Sequence, residues 1–478
     1  MMLIKRALIN EFLTGYGLIL ALALAVLALV SVHGASLLNY GFPLLATVIG
    51  GALIKTRRAT YAAYVWWIWL FTPLVRRLVD YQSSYHDISP VMVTPLLVTG
   101  FALLTIFLHP RYLLRRQMTP FLLFFLALVM ALIVGIVTNG LLPALFDFAN
   151  WLLPPCFAVF IMTHPKDFQQ IQNELLFAII LGLILIAGYG LYQFYRVPAW
   201  DAYWISASQF KTAGIAADEQ LHLFGPLNSP GPYAVVLMAS LIFVLVAKGP
   251  ARLLAGGLGF PAFGLTLVRS AWGAWALAAL FVAWRVGGKT RLRILGAGML
   301  IAVTAVPLLS VGPVADIIAQ RFATFSNLQS DTSFDDRIAL YERTAASALE
   351  QPVGTGLGQL GLASKLVNGS DKNFDSGLLL IPFEFGWIGG GLIIWSIGAL
   401  VIRVLTRQSA NENKISIAGA GLFLAMVSQN IFASTFAGVL GLSLWMGVAL
   451  ALGSAWAPSQ DAAYAVGQPG LAWRRRPA

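Results

Sequence analysis

Charge is what this sequence has least of. Asp, Glu, Lys and Arg make up 11% of its 478 residues, against about 25% in a soluble domain. Together with 58% hydrophobic residues and a mean hydropathy of +0.78, that deficit excludes a soluble globular protein. It also excludes disorder, which needs low hydrophobicity and high charge. Cysteine is nearly missing. Cys156 stands alone in an apolar run, so neither a disulfide framework nor a cysteine-based metal site is available. None of the five histidines pairs at metal-ligand spacing. There is no H-E-x-x-H, no Asp-x-Asp and no Walker loop, and the expectation is a protein with no metal and no cofactor. Internal repeats and long low-complexity tracts are also missing.

What the sequence has instead is long apolar runs. Roughly 20 apolar residues cross a bilayer core, which leaves room for about fourteen crossings. We expect an all-α polytopic membrane protein with about 12–14 transmembrane helices, since a β-barrel would show short alternating segments. Spans are expected near 12–32, 37–54, 60–75, 91–109, 119–138, 141–163, 175–195, 229–247, 251–268, 270–286, 293–311, 377–402, 415–432 and 436–456. The first is too long for a signal-peptide core and lacks a clear cleavage site. The 251–286 stretch overruns one span and is divided at Arg269 and Ser270.

The net charge of +11 would suggest nucleic acid in a soluble protein. Here the basic residues sort by membrane side, and no nucleic-acid partner is expected. Alternate connections hold 21 of the 31 Lys and Arg residues. By the positive-inside rule both termini are expected in the cytoplasm. The chain then divides into N-terminal helices (1–195), an external loop (196–228), helices that include Arg269 (229–311), a long external loop (312–376), C-terminal helices (377–456) and a cytoplasmic tail (457–478) expected to be disordered. Loops as long as the two external ones are usually functional.

The polar residues of interest lie on that external side. Arg269 interrupts apolar sequence in Leu-Val-Arg-Ser-Ala-Trp. It either snorkels to the interface or contacts an anion, for which its planar fork is suited. In the long loop, Ile338, Tyr341 and Ala345 recur at helical spacing, predicting an amphipathic surface helix. Arg337 and Arg343 on it are either paired with neighbouring acids or available to a ligand. Residues 356–361 fit G-x-G-x-x-G, but no strand precedes them and no βαβ unit surrounds them, so the glycines are read as a tight turn back to the membrane. Asp375 precedes an apolar helix and is either its N-cap or a general base at the mouth of a cavity. Tyr195, Trp200, Tyr203 and Trp204 either stack on sugars or form an interfacial belt. Asp147 and Asn150 are the clearest polar residues expected at the midplane.

From about Asn228 to Gly389 the chain resembles the O-antigen ligase and Wzy-type polymerase family. The resemblance rests on Gly225-Pro-Leu-Asn-Ser-Pro-Gly-Pro-Tyr-Ala before a span and on Leu265-Thr-Leu-Val-Arg-Ser-Ala-Trp. It continues with Arg337-x3-Tyr341, then Pro352-Val-Gly-Thr-Gly-Leu-Gly, then Asp375-Ser-Gly-Leu-Leu and Glu384-Phe-Gly-Trp-Ile-Gly. Family ligases carry His-Asn where this chain has Asp375-Ser376, and many exopolysaccharide polymerases look like this chain. The resemblance implies a GT-C-like, metal-independent, inverting glycosyltransferase in the bacterial inner membrane, its active site facing the periplasm. Asp375, Arg269 and Arg337 would be catalytic, with Arg343, Asn228, Tyr341 and Arg196 binding substrate. Donor and acceptor would be glycans on undecaprenyl pyrophosphate, with membrane lipid around them and a flippase and a chain-length regulator as candidate partners. The expected activity is polysaccharide polymerisation. Ligation to lipid A core or to protein is the alternative within the family, and a transporter or flippase is the alternative outside it.

Overall fold

The computed structural model describes residues 2–108, 110–208, 220–292, 351–368, 376–407 and 413–453, with isolated positions at 212, 214, 216–218, 294 and 296. Among these residues no strand forms beyond one bridge between Gly214 and Leu221. The chain is an all-α polytopic membrane protein. Among the described residues six helical segments are long and apolar enough to cross a membrane, and five shorter apolar helices lie among them. Leu20, Leu24, Leu27, Leu44, Val48, Ile133 and Val137 are exposed on the outside of the bundle. In water such a surface would be an aggregation liability; in lipid it costs nothing, because the backbone polar groups are bonded within each helix.

The helices in order are α1 (Met2–Ser31), α2 (Leu38–Thr56), α3 (Arg58–Gln82), α4 (Thr94–Gly100), α5 (Leu103–Leu108), α6 (Pro110–Leu113), α7 (Thr119–Asn139), α8 (Leu141–Thr163), α9 (Phe168–Tyr195), α10 (Ala199–Ser208), α11 (Pro230–Val244), α12 (Ala251–Leu265) and α13 (Arg269–Arg285). After the undescribed residues come α14 (Leu362–Asn368), α15 (Gly377–Thr406), α16 (Lys414–Gln429) and α17 (Gly438–Leu452). The apolar stretch 251–286 does divide, at a turn over 266–268 where Leu267 has a positive φ of 57°. Two spans differ from the sequence expectation. The short one at 60–75 is part of a 25-residue helix, because Arg76, Arg77 and Asp80 are buried by partners that satisfy their charges. The one at 91–109 is broken at Phe101 and Ala102 between α4 and α5. The span near 293–311 lies almost entirely outside the described residues, as do the surface helix expected over 335–345 and the tail.

Small residues set how closely helices cross, as is common in membrane bundles. A Cβ on Gly419 of α16 would lie 2.7 Å from Leu450 Cβ of α17, and one on Gly447 of α17 would lie 2.9 Å from the Phe423 backbone nitrogen. The 83–89, 140, 196–198, 220–229, 351–361 and 430–437 connections and Ser376 share one end of the bundle, here termed the loop face. Contacts tie them together: Arg77 to Gly225, Lys365 to Asp87, Gly358 to Asp147 and Ser376 to Asn430.

Candidate active site

Three arrangements converge on the loop face. The first begins at the end of α3. Arg77 is fully buried and donates to Asp201 Oδ1 (2.7 Å) and to the Gly225 carbonyl (2.6 Å), its guanidinium lying 4.8 Å from the Phe224 ring centroid. Asp201 Oδ2 accepts from the Tyr189 hydroxyl (2.7 Å) and from Gln193 Nε2 (2.6 Å). Gln193 Oε1 in turn accepts from the backbone N–H groups of Phe224 and Gly225. Burial pushes the Asp201 carboxyl above its ordinary range, and the Arg77 charge and the two donated hydrogen bonds oppose that shift. The network clamps the 224–225 backbone, and Gly225 is needed there: its φ is 54° and a Cβ would lie 2.3 Å from the Tyr233 ring. The clamped turn delivers Asn228 to the start of α11. The Oδ1 atom of Asn228 is buried and has no hydrogen-bond partner among the described residues.

The second arrangement is the glycine segment. It is not a simple turn. Residues 352–358 insert between α7, α8 and α15. Gly386 in α15 leaves the helical conformation (φ 62°, ψ −160°), and this kink frees the Phe383 and Glu384 carbonyls. They accept from the N–H groups of Thr355 (2.9 Å) and Gly356 (3.0 Å). Leu357 N–H donates to the Ala131 carbonyl of α7, and Asn139 Nδ2 donates back to the Thr355 and Leu357 carbonyls. Gly354, Gly356 and Gly358 all have positive φ, and a Cβ on any of them would meet backbone within 2.7 Å. Asp147, expected at the midplane, sits in the second turn of α8 and accepts from Gly358 N–H (2.9 Å). The glycine segment is what determines its partner. Asn150 donates to the Phe146 carbonyl of its own helix.

The third arrangement surrounds Arg269. Helices α13 and α16 are antiparallel, with Gly421 against Val282 and Ala278. At equal rise per residue in both helices, Gln429 at the end of α16 is level with about Trp272. The 430–437 turn is then level with Arg269, the first residue of α13. That turn is also where the start of α15 packs. Leu378 N–H and the Ser376 hydroxyl both donate to the Asn430 carbonyl, and a Cβ on Gly377 would lie 2.3 Å from Asn430 Oδ1. Asn430 is held by Thr435, through its Oδ1 and Nδ2 together.

Several expected site residues can now be located. Arg269 and Asn228 lie at the loop face, and Arg196, the residue that follows α9, is exposed there. Asp375, Arg337, Tyr341 and Arg343 lie outside the described residues. The N-cap position of α15 is Ser376, one residue later than the sequence reading placed it, and Ser376 makes no side-chain capping bond. Three of the four aromatics are engaged within the protein. Trp204 is buried with Arg76 over its ring at 4.8 Å, Trp200 donates to the Tyr189 hydroxyl, and Tyr203 accepts from the Tyr85 backbone. Tyr195 alone of these is well exposed. Sequence reasoning missed Arg77, Asp201 and Gln429. The available signal was Arg76-Arg77 itself, two cations at the wrong end of an apolar helix for the positive-inside pattern. Among the described residues no three of His, Cys, Asp and Glu come together as a metal-binding group.

No curated protein matches the chain. Residues 254–394 match the Wzy_C family model, described as O-antigen ligase. The matched segment takes in α12, α13, the docked glycine segment and the kinked part of α15. Through that segment the chain is similar to the O-antigen ligase family, a family of membrane proteins that act on lipid-linked glycans.

Proposed function

We propose that the protein is a polysaccharide polymerase of the bacterial inner membrane, working at its periplasmic face. It transfers a glycan from undecaprenyl pyrophosphate to a lipid-linked acceptor repeat. The observation that carries this reading is the level of Arg269. It opens α13 opposite the 430–437 turn, and the same turn holds Ser376 and Gly377, the residues that follow Asp375 in sequence. In the reaction, the acceptor hydroxyl attacks the anomeric carbon and gives its proton to Asp375. The bond from that carbon to the pyrophosphate oxygen breaks in the same step, which inverts the centre. The leaving undecaprenyl pyrophosphate needs concentrated positive charge. Arg269 and Arg337 supply it, their guanidinium forks matching phosphate oxygens two at a time. Arg343, Asn228, Tyr341 and Arg196 line the approach.

The polymerase reading is preferred to ligation because Asp375-Ser376 stands where family ligases carry His-Asn. The test is ladder formation from a lipid-linked repeat unit by purified protein in EDTA. Asp375→Asn is expected to lower turnover by roughly 10²–10⁴-fold, the usual loss of a general base. Arg269→Lys is expected to be severely impaired while expressed at wild-type level. Wild-type turnover in Asp375→Asn would leave the reading without a base, and a requirement for added magnesium would overturn the arginine account.

A further inference from the structure

Gln429 is the last residue of α16 and is 1% exposed, yet among the described residues neither its Nε2 nor its Oε1 has a hydrogen-bond partner. A buried amide left unsatisfied costs about 1–3 kcal/mol, so a position of this kind calls for an account. Its direction follows from the helix. Successive residues turn by about 100°. Gly421 faces α13, and Gly419 and Phe423 face α17. Gln429 lies about 80° around from Gly421, between those two faces. Ala418, Leu422 and Ala425 on that side are fully buried, whereas Leu424 and Val427 on the opposite side are partly exposed, so α11, which touches α13, α16 and α17, packs there. The end of α11 at this level is the one entered from Asn228, whose Oδ1 is likewise buried and unpartnered. Two amide side chains, one ending α16 and one just ahead of α11, thus bring three unsatisfied atoms to the loop face. Arg269 starts the neighbouring helix at this same level.

We propose that Gln429 is a glycan-binding residue that recognises sugar hydroxyls, with Asn228 beside it. The proposal rests on the glycosyl-transfer reading above and names the part of the substrate this corner holds. The chemistry selects hydroxyls over phosphate. Phosphate oxygens only accept at neutral pH and would leave Gln429 Oε1 and Asn228 Oδ1 unmatched. A sugar hydroxyl both donates and accepts, so it satisfies Oε1 and Nε2 alike. Charge and sugar recognition are then divided: Arg269 takes the pyrophosphate and Gln429 takes the ring next to it.

The test uses the full-length protein in lipid nanodiscs and two probes. One is undecaprenyl pyrophosphate carrying a single N-acetylglucosamine; the other is the same lipid without sugar. The variants are Gln429→Met, close to the wild-type shape, and Gln429→Leu. Both should weaken binding of the sugar-bearing lipid by about tenfold, the worth of one or two hydrogen bonds, and bind the bare lipid as wild type does. Neither should lower the thermal midpoint, because replacing an unsatisfied amide with an apolar side chain is neutral or stabilising. Equal binding of both lipids by wild type and variants overturns the proposal. So does a fall in thermal midpoint in both variants, which would make the amide a structural group. If the sugar-dependent loss is seen but the wild-type protein transfers no glycan, the polymerase reading fails and this assignment stands.

Discussion

Gly356→Ala tests the docked glycine segment most directly. Gly356 has a φ of 74°, and an added Cβ would lie 2.2 Å from the Gly135 backbone nitrogen, 2.5 Å from its Cα and 2.7 Å from the Val134 carbonyl carbon. All three are backbone atoms in the middle of a helical turn, so no side chain can swing aside. The protein must either move α7 or release the segment. Release breaks the bonds from Thr355, Gly356 and Leu357 N–H to the Phe383, Glu384 and Ala131 carbonyls, at about 1 kcal/mol each. Staying docked would instead hold alanine in the left-handed region, at about 1–2 kcal/mol, on top of displacing α7. The expected loss on release is therefore about 3 kcal/mol, enough to lower the unfolding midpoint of the purified protein markedly and to abolish activity. Gly398→Ala is the control. Gly398 lies inside α15 with no atom within 4 Å of its Cβ position, so alanine there should be neutral or stabilising by up to about 1 kcal/mol. Indistinguishable midpoints for the two variants would mean that the segment does not sit between α7 and α15.

Arg77→Met should cost about 3–5 kcal/mol, because it leaves the Asp201 carboxylate buried without its cation; adding Asp201→Asn should recover part of the thermal stability, and an additive pair would refute the network. Single-cysteine labelling checks the orientation, with Cys156 buried and contributing little background: a cysteine at Gln329 should react with an impermeant reagent from the periplasmic side, and protection there with reaction at Arg293 would invert the topology.

The sequence alone determined the class of protein and most of its helices. Apolar length is a local property, and 20 residues of it suffice to specify a crossing. The breaks were legible wherever chain chemistry marks them, as at Arg269, where α13 begins. The order of short motifs was also enough to indicate the family, and residues 254–394 match it.

Tertiary structure decided what the polar residues do. Arg77 and Asp201 are 124 positions apart, and nothing local to either announces the other. Arg76, Arg77 and Asp80 could end a span on composition, yet the helix continues to Gln82 because their partners come from elsewhere in the fold. The glycines of 354–358 read as a turn because positive φ is a local feature. Their docking depends on Gly135 in α7, Ala144 in α8 and Gly386 in α15, three distant positions that must all admit a backbone at close range. Asp147 looked like a midplane acid until Gly358 supplied its donor. Nothing in the sequence singles out Gln429. Only the packing of α11, α13 and α17 around α16 leaves its amide buried and, among the described residues, without a partner.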